Sequence, residues 1–491
     1  MNKKILILAV LALCLPLARA ADGDTDLDAL KKELQELRQR TRQLEEKLER
    51  CERARSPVAA PVPATPAASV AQPHAAPEAT GIRPKPWSPA DPIRLAGDQQ
   101  SFLNLSFDGL FAAGTSTAEE VSELQLGGHD PNQRGFTVQN LEAVLNGTVD
   151  PYFRAQGNLI FLIDREGESL LEVEEAYLET LSLPANLQIK GGQFFSEFGR
   201  HNQVHPHAWD FVDVPLVNAR LLGPDGLRNP GGRISWLMPT PFYSELFLAI
   251  QNGSGETAFS FRNTHEEEAY FGRLSSESRL KSFSDLLFVP RYAVSFDLTD
   301  TQTLLAGVSG AFGPNASGND TATRILGADL YWKWKSATHS KGFPFVSFQT
   351  EAMLREYDAG AFSEDLDGSG ALDPGEPDLN GDGVADFLPR ETLNDYGFYS
   401  QLLYGFKPGW VAGLRGDFVD RSSAGFYEQI LGEDPVRAQR WRISPNLTWY
   451  PSEFSKIRLQ YNYDRRARLG SDHSIWLQFE FLLGTHGAHK F

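Results

Sequence analysis

Near the C-terminus the apolar residues fall on every second position, at Ile457, Leu459, Tyr461 and Tyr463, with Lys456, Arg458, Gln460, Asn462 and Asp464 between them. After a polar break the pattern returns. Ile475, Leu477, Phe479, Phe481 and Leu483 point one way, while Trp476, Gln478 and Glu480 point the other. A period of two predicts strands with two unlike faces. The same alternation, cut by turn residues, predicts sixteen strands at 101–113, 135–149, 152–162, 171–181, 187–195, 232–238, 242–251, 288–298, 302–312, 322–335, 344–357, 393–406, 410–420, 439–450, 455–465 and 474–485. Their connections alternate in length. Short ones carry turn residues, such as Asp150-Pro151, Pro184-Ala185-Asn186, Pro239-Thr240-Pro241 and Lys407-Pro408-Gly409, and most of the others are longer and polar. A half-buried soluble sheet would alternate in the same way. Segments of about ten residues with aromatic ends, in an even number, with short and long connections on opposite sides, predict an all-β transmembrane antiparallel β-barrel instead.

Mean hydropathy is −0.33, and past the N-terminus no run of about twenty apolar residues occurs, which excludes helical membrane spans. A barrel passes this test because only alternate residues face lipid. Residues 1–20 combine Lys3 and Lys4, an apolar run from Ile5 to Leu17 and small residues Ala18 and Ala20, which predicts a secretory signal peptide. Cys14 leaves with it. Cys51 then stands alone, so an intrachain disulfide is excluded and an intermolecular one is open. Within residues 21–54, Leu27, Leu30, Leu34, Leu37, Thr41, Leu44, Leu48 and Cys51 follow alternating steps of three and four, which predicts a coiled coil. Residues 55–95 are rich in Pro and Ala and predict an extended linker, leaving 96–491 for the barrel. Short turns face the periplasm in such barrels, so the topology places both chain ends and the coiled coil there, beneath the outer membrane of a Gram-negative-type bacterium.

The net charge of −18 is unevenly spread, with ten acids between Asp358 and Glu391. An acidic, exported chain is a poor partner for nucleic acid. Within that acidic stretch Asp365, Asp367, Ser369, Asp373 and Glu376 stand at positions 1, 3, 5, 9 and 12 of a calcium loop, with Gly370 at position 6 and the Ala371 carbonyl at 7. Asp378, Asn380, Asp382 and Asp386 repeat the first nine positions, but Pro389 stands where the twelfth ligand belongs. Crowded carboxylates repel unless a cation sits among them, so a structural calcium ion is expected here. His201, His205 and His207 form a second candidate, three imidazoles close enough in sequence to share zinc or copper. Hydrogen bonding within a packed loop would use the same residues. Taking the polar faces of the later strands as inward predicts a pore lined by Arg324, Lys333, Arg415, Arg440, Arg442, Lys456 and Arg458 against Asp329, Asp417, Asp464 and Glu480. That wall leans basic and suggests anion preference; mutual pairing would cancel it. No nucleophile elbow, phosphate loop or metalloprotease helix occurs, so no enzyme activity is expected.

The segments EVEEAYL (Glu172–Leu178), GGQFFSEFGR (Gly191–Arg200), HPHAWDFVDVPLV (His205–Val217), YPSEFSKIRLQY (Tyr450–Tyr461) and GTHGAHKF (Gly484–Phe491) resemble those of an outer-membrane branch of the phosphate-selective porin O/P superfamily. The resemblance implies a homotrimer in outer-membrane lipid, with the third long loop folded into the lumen. Together these readings predict passive diffusion of small hydrophilic solutes or ions. The alternatives are a non-conducting structural or binding barrel with calcium-ordered surface loops, and a zinc-uptake barrel working through the histidine loop.

Overall fold

The computed structural model describes residues 91–484, apart from short stretches at 98–100, 149, 164–166, 263–268, 277–279, 433 and 435. The expected signal peptide and coiled coil, nearly all of the linker, and the tail after Gly484 lie outside the described residues. A short strand β1 (Ile93–Gly97) is followed by β2 (Phe102–Ser116), β3 (Gly135–Thr148), β4 (Phe153–Ile163), β5 (Ser169–Thr180), β6 (Leu187–Phe195), β7 (Arg228–Leu237) and β8 (Tyr243–Gln251). A small hairpin of β9 (Ala269–Tyr270) and β10 (Arg273–Leu274) precedes β11 (Leu287–Thr299), β12 (Gln302–Pro314), β13 (Ala322–Ser340) and β14 (Phe343–Ala359). Another, β15 (Phe362–Ser363) with β16 (Phe387–Leu388), precedes β17 (Glu391–Lys407), β18 (Trp410–Arg421), β19 (Arg440–Ser452), β20 (Ser455–Arg466) and β21 (Gly470–Leu483).

Apart from β1 and the two hairpins, each strand pairs antiparallel with the next, and β21 closes on β2 from Phe107 opposite Leu483 to Ser116 opposite Ser474. The result is a closed barrel of sixteen strands, at the positions the alternation predicts. β1 adds to the first barrel strand at the short-turn end, where Gly97 faces Phe102.

The barrel is inverted relative to a water-soluble core. On β20 and β21 the inward residues Arg458, Gln460, Asn462, Asp464 and Gln478 are buried, whereas the outward Leu459, Tyr461, Ile475, Leu477 and Phe479 are exposed. The same holds on β17, with Tyr396, Phe398, Leu402 and Tyr404 outward. A soluble fold does not expose a continuous apolar band while burying ionised groups, so lipid is the medium the outer face requires. Toward the short-turn end Trp410 and Trp449 stack at 5.7 Å, with Phe406 against Trp410, as an aromatic girdle at a membrane interface.

Arg324 departs from the expected pore wall. On β13 Thr323 and Ile325 are buried while Arg324 and Leu326 are exposed, and Arg324 pairs with Glu356 at 3.6 Å on the outer surface. The reason is parity: Arg324 lies on the outward face of β13 with Leu326 and Ala328, whereas Thr323, Ile325 and Asp329 face inward, where Ile325 packs with Phe198, Leu216, Val217, Leu221 and Leu222 of the segment between β6 and β7. The resemblance anticipated this insertion. Residues 196–227 leave the wall after β6, cross the lumen through short 3-10 turns at His201–Gln203 and Pro206–Ala208, form the helix Leu216–Leu222 and return to β7.

Candidate functional site

One carboxylate fixes the inserted segment to the late strands. Asp213 is fully buried; its Oδ1 accepts from Arg415 Nη2 at 2.6 Å and Gln460 Nε2 at 3.0 Å, its Oδ2 from Arg442 Nη1 at 2.8 Å and Asn462 Nδ2 at 2.7 Å. Around it the segment's backbone is held as well. Gln460 Oε1 accepts from Val212 N at 2.9 Å and Asp417 Oδ1 from Leu216 N at 3.1 Å, where the short helix begins. Arg458 donates to the Trp209 carbonyl at 2.8 Å, and Lys456 donates to that of His207. Buried backbone groups need partners, and the barrel wall supplies them.

These contacts change the role of most of the residues predicted to line a pore. Arg415 pairs with Asp213 and Asp417, Arg440 with Asp464, Arg442 with Asp213 and Asp464, and Lys456 with Glu480. All point inward, and all are buried in contact with the inserted segment or with wall carboxylates. Arg458 is equally buried, between Thr448, Gln478 and the Trp209 carbonyl. Lys333 also points inward, over the Phe345 ring at 5.9 Å. Arg415, Arg442, Lys456 and Arg458 are anchors for the inserted segment, because a basic wall beside a filled lumen is satisfied by what fills it.

Space remains on the other side. A cavity of about 200 Å³ lies between the inserted segment and strands β4, β5, β6, β8, β11 and β12. Its charges are Arg154, Lys190, Arg200 and Arg291 against Glu175, Glu179 and Glu197. Arg154 pairs with Glu179, Lys190 with Glu197 at 3.6 Å, and Arg291 with Asp329 at 2.6 Å. Arg200 differs. It donates to Gln349 Oε1 at 3.0 Å and lies 4.0 Å over the Tyr331 ring, with no carboxylate among the described residues in salt-bridge contact.

The three predicted histidines do not converge. His201 packs on Trp209 with ring centroids 5.3 Å apart and on Tyr399 at 6.2 Å. His205 and His207 lie together, 5.7 Å between ring centroids, and meet glutamates of the wall. His205 Nδ1 is 2.6 Å from Glu174 Oε2 and 3.4 Å from Glu142 Oε1, its Nε2 is 3.1 Å from Glu175 Oε2, and His207 Nδ1 is 3.0 Å from Glu142 Oε2. Glu142, Glu174 and Glu175 escaped the sequence reading. Consecutive strand residues point to opposite faces, yet Glu174 and Glu175 both point inward, because the register of β5 against β4 slips between Glu175 opposite Asn158 and Val173 opposite Leu159.

The acidic surface loop between β15 and β16 closes on itself. Asp365, Asp367 and Glu376 bring one carboxylate oxygen each within 4.8 Å of one another. Asp365 accepts from the backbone amides of Gly368, Ser369 and Gly370, and Glu376 from those of Leu366 and Asp373. The amide of Gly370 foremost, with those of Gly368 and Ser369, holds the Asp365 carboxyl below its ordinary range. The second copy contains a residue that the linear pattern missed. Glu364 accepts from Leu379 N at 2.9 Å and Asp386 N at 3.0 Å, the second and ninth positions of that copy, matching what Glu376 does in the first. Ser369 and Ala371 in the first copy, and Asp378, Asn380 and Asp382 in the second, lie on the same turns. Desolvation, with Glu364, Asp382 and Asp378 nearby, pushes the Asp386 carboxyl up.

No family model matches the chain. An uncharacterised protein of Aquifex aeolicus (strain VF5) is 28% identical over 429 residues, covering 80% of this chain and 81% of that one. Among solved structures, the outer membrane channel DcaP of Acinetobacter baumannii is similar at a TM-score of 0.49 and 14% identity, covering 80% of this chain and 100% of that one. The anion-selective porin from Comamonas acidovorans has a TM-score of 0.44 at 8% identity, covering 78% of this chain and 100% of that one.

Proposed function

We propose that the protein is an outer-membrane diffusion channel of narrow bore, passing small hydrophilic solutes or ions beside an inserted constriction. The observation that carries this reading is the space left beside the anchored residues 196–227. Asp213 and its neighbours bind the segment to β17–β20, and the cavity bounded by Arg154, Lys190, Arg200 and Arg291 remains between it and the opposite wall. Pore width, loop position and wall charge are then the whole mechanism, with no covalent step. Arg200, which has no carboxylate in salt-bridge contact among the described residues, gives the passage a weak preference for anions.

Planar-bilayer recording of the purified protein tests this. Small, stable current steps are expected. A correctly folded barrel that passes no current would instead favour the reading of a closed structural or binding barrel.

In the same reading calcium orders the acidic surface loop, with Asp365, Asp367, Asp373 and Glu376 around one ion and Asp378, Asn380, Asp382, Asp386 and Glu364 around a second. The geometry that supports this is the repeated use of a glutamate to bridge the second and ninth positions of each turn. Three chains assembled in outer-membrane lipid, as the resemblance implies, complete the proposal.

A further inference from the structure

We propose that Glu142, Glu174 and His205 bind one divalent transition-metal ion, zinc by the chemistry of its donors, and that this ion clamps the inserted segment to β3 and β5. This goes beyond the channel reading and does not depend on it. Three observations converge.

The first is charge. Glu142, Glu174 and Glu175 are buried together beside His205 and His207, with His129 farther off at 3.9 Å from Glu174. Crowded carboxylates are strongly disfavoured in a dry interior, and a divalent ion among them relieves their repulsion.

The second is convergence. One oxygen each of Glu142 and Glu174 and one nitrogen of His205 lie within 4.8 Å of one another. Glu174 is 1% exposed, and its Oε2 stands 2.6 Å from His205 Nδ1. Donors about 3.3 Å apart surround a tetrahedral zinc ion bound at roughly 2.0–2.2 Å. The 3.4 Å from His205 Nδ1 to Glu142 already fits, and the Glu174 contact must widen by under an ångström.

The third is support behind the donors. A metal-bound histidine nearly always gives its other ring N–H to a carboxylate or carbonyl, and Glu175 Oε2 stands 3.1 Å from His205 Nε2. Asn158 Nδ2 donates to Glu142 Oε1 and Asn140 Nδ2 to Glu142 Oε2 at 3.3 Å, fixing that carboxylate. The register slip in β5 is what delivers Glu174 and Glu175 together, one as ligand and one behind the imidazole. Nitrogen with two carboxylates suits zinc and its neighbours better than calcium, which takes six to eight oxygens.

The test is metal content of the full-length protein after exposure to zinc and dialysis, with calcium in excess to saturate the surface loop. One equivalent of zinc is expected in the wild type. Glu174→Gln and Glu142→Gln, which keep side-chain shape, should each lose it. Glu175→Gln should weaken binding about 10–100-fold, and Glu376→Gln in the surface loop should leave it unchanged. Zinc-edge X-ray absorption on the wild type needs no variant, and should show nitrogen and oxygen ligands at roughly 2.0–2.2 Å. A wild type that retains no zinc would show that His205 bridges the glutamates as an imidazolium, and would overturn the proposal. So would Gln variants that fold and hold as much zinc as the wild type, or a spectrum of hexahydrated ion.

Discussion

Asp213→Ala is the sharpest perturbation of the constriction. The substitution removes all four side-chain hydrogen bonds to the carboxylate and the charge that faces Arg415 and Arg442. Breaking a buried pair by removing one partner costs about 3–5 kcal/mol, because the other charge stays buried. Here the lower end applies. Arg415 keeps Asp417 at 2.8 Å and Arg442 keeps Asp464 at 2.8 Å, so neither guanidinium is left bare. A cost of about 3 kcal/mol shifts the balance between inserted and released segment by roughly a hundredfold, at 1.4 kcal/mol per decade. The remaining anchors at Val212, Leu216 and Trp209 limit the release to excursions. Single-channel recording should therefore show the wild-type step interrupted by larger, short-lived openings. Buried pairs are weakly screened, so the difference should persist at high salt. A folded Asp213→Ala barrel with wild-type conductance and wild-type current noise would refute the idea that this carboxylate holds the constriction.

Arg200→Ala should move the reversal potential in a salt gradient toward cations, an effect that fades as ionic strength rises; no shift would remove Arg200 as the source of selectivity. Calorimetry on the full-length protein should show two calcium-binding events at up to millimolar ligand, the first lost in Glu376→Gln and the second in Glu364→Gln, whereas a single event abolished equally by both would merge the two turns into one site. Since desolvation, with the carboxylates of Glu364, Asp382 and Asp378 beside it, pushes the Asp386 carboxyl up, a proton must leave before it can ligate, so calcium affinity should rise with pH through the acidic range and level off once Asp386 is ionised. Leu477→Arg, on the exposed outer face of β21, should destabilise the barrel in lipid vesicles by about 2–4 kcal/mol on urea unfolding. Arg324→Leu, also on the outer face, should change little.

The strands were legible because each separates two unlike media, lipid outside and polar groups inside, and a period of two writes that difference directly into Leu459, Tyr461 and Leu477 against Arg458, Gln460 and Gln478. The reading slipped at Arg324, a polar residue on the outward face of β13 beside Leu326 and Ala328, where it pairs with Glu356 across the outer surface, and a rule that equates polar with inward misplaces it. It slipped again at Glu174, since a register shift breaks the period locally and nothing in the string marks it. His205 was legible as a chemical group but its partners were not. Glu142 lies sixty-three residues away in sequence and meets it only after the loop folds across the lumen. Glu364 was missed for a related reason: the linear pattern seeks the closing glutamate after the turn, and here it comes from the chain before it.

The seven basic residues that suggested an anion-selective wall show why counting charges along strands is insufficient. An ion pair held at 2.6–2.8 Å, such as Arg415 with Asp213 and Asp417, acts at a distance as a dipole, whose field falls off faster than that of a lone charge. Late-strand arginines neutralised in this way contribute rigidity and little potential in the cavity opposite. In the channel reading, selectivity belongs to groups beside the passage that no carboxylate meets directly. Among the cavity's cations Arg154, Lys190 and Arg291 each have a carboxylate in contact, whereas Arg200 has none in salt-bridge contact among the described residues and feels Asp210 only at longer range. The same reasoning separates the two metal candidates: the surface loop's carboxylates are exposed or half-buried, where water screens their repulsion, whereas Glu142 and Glu174 beside His205 are buried, where repulsion is weakly screened and a bound cation would relieve it most.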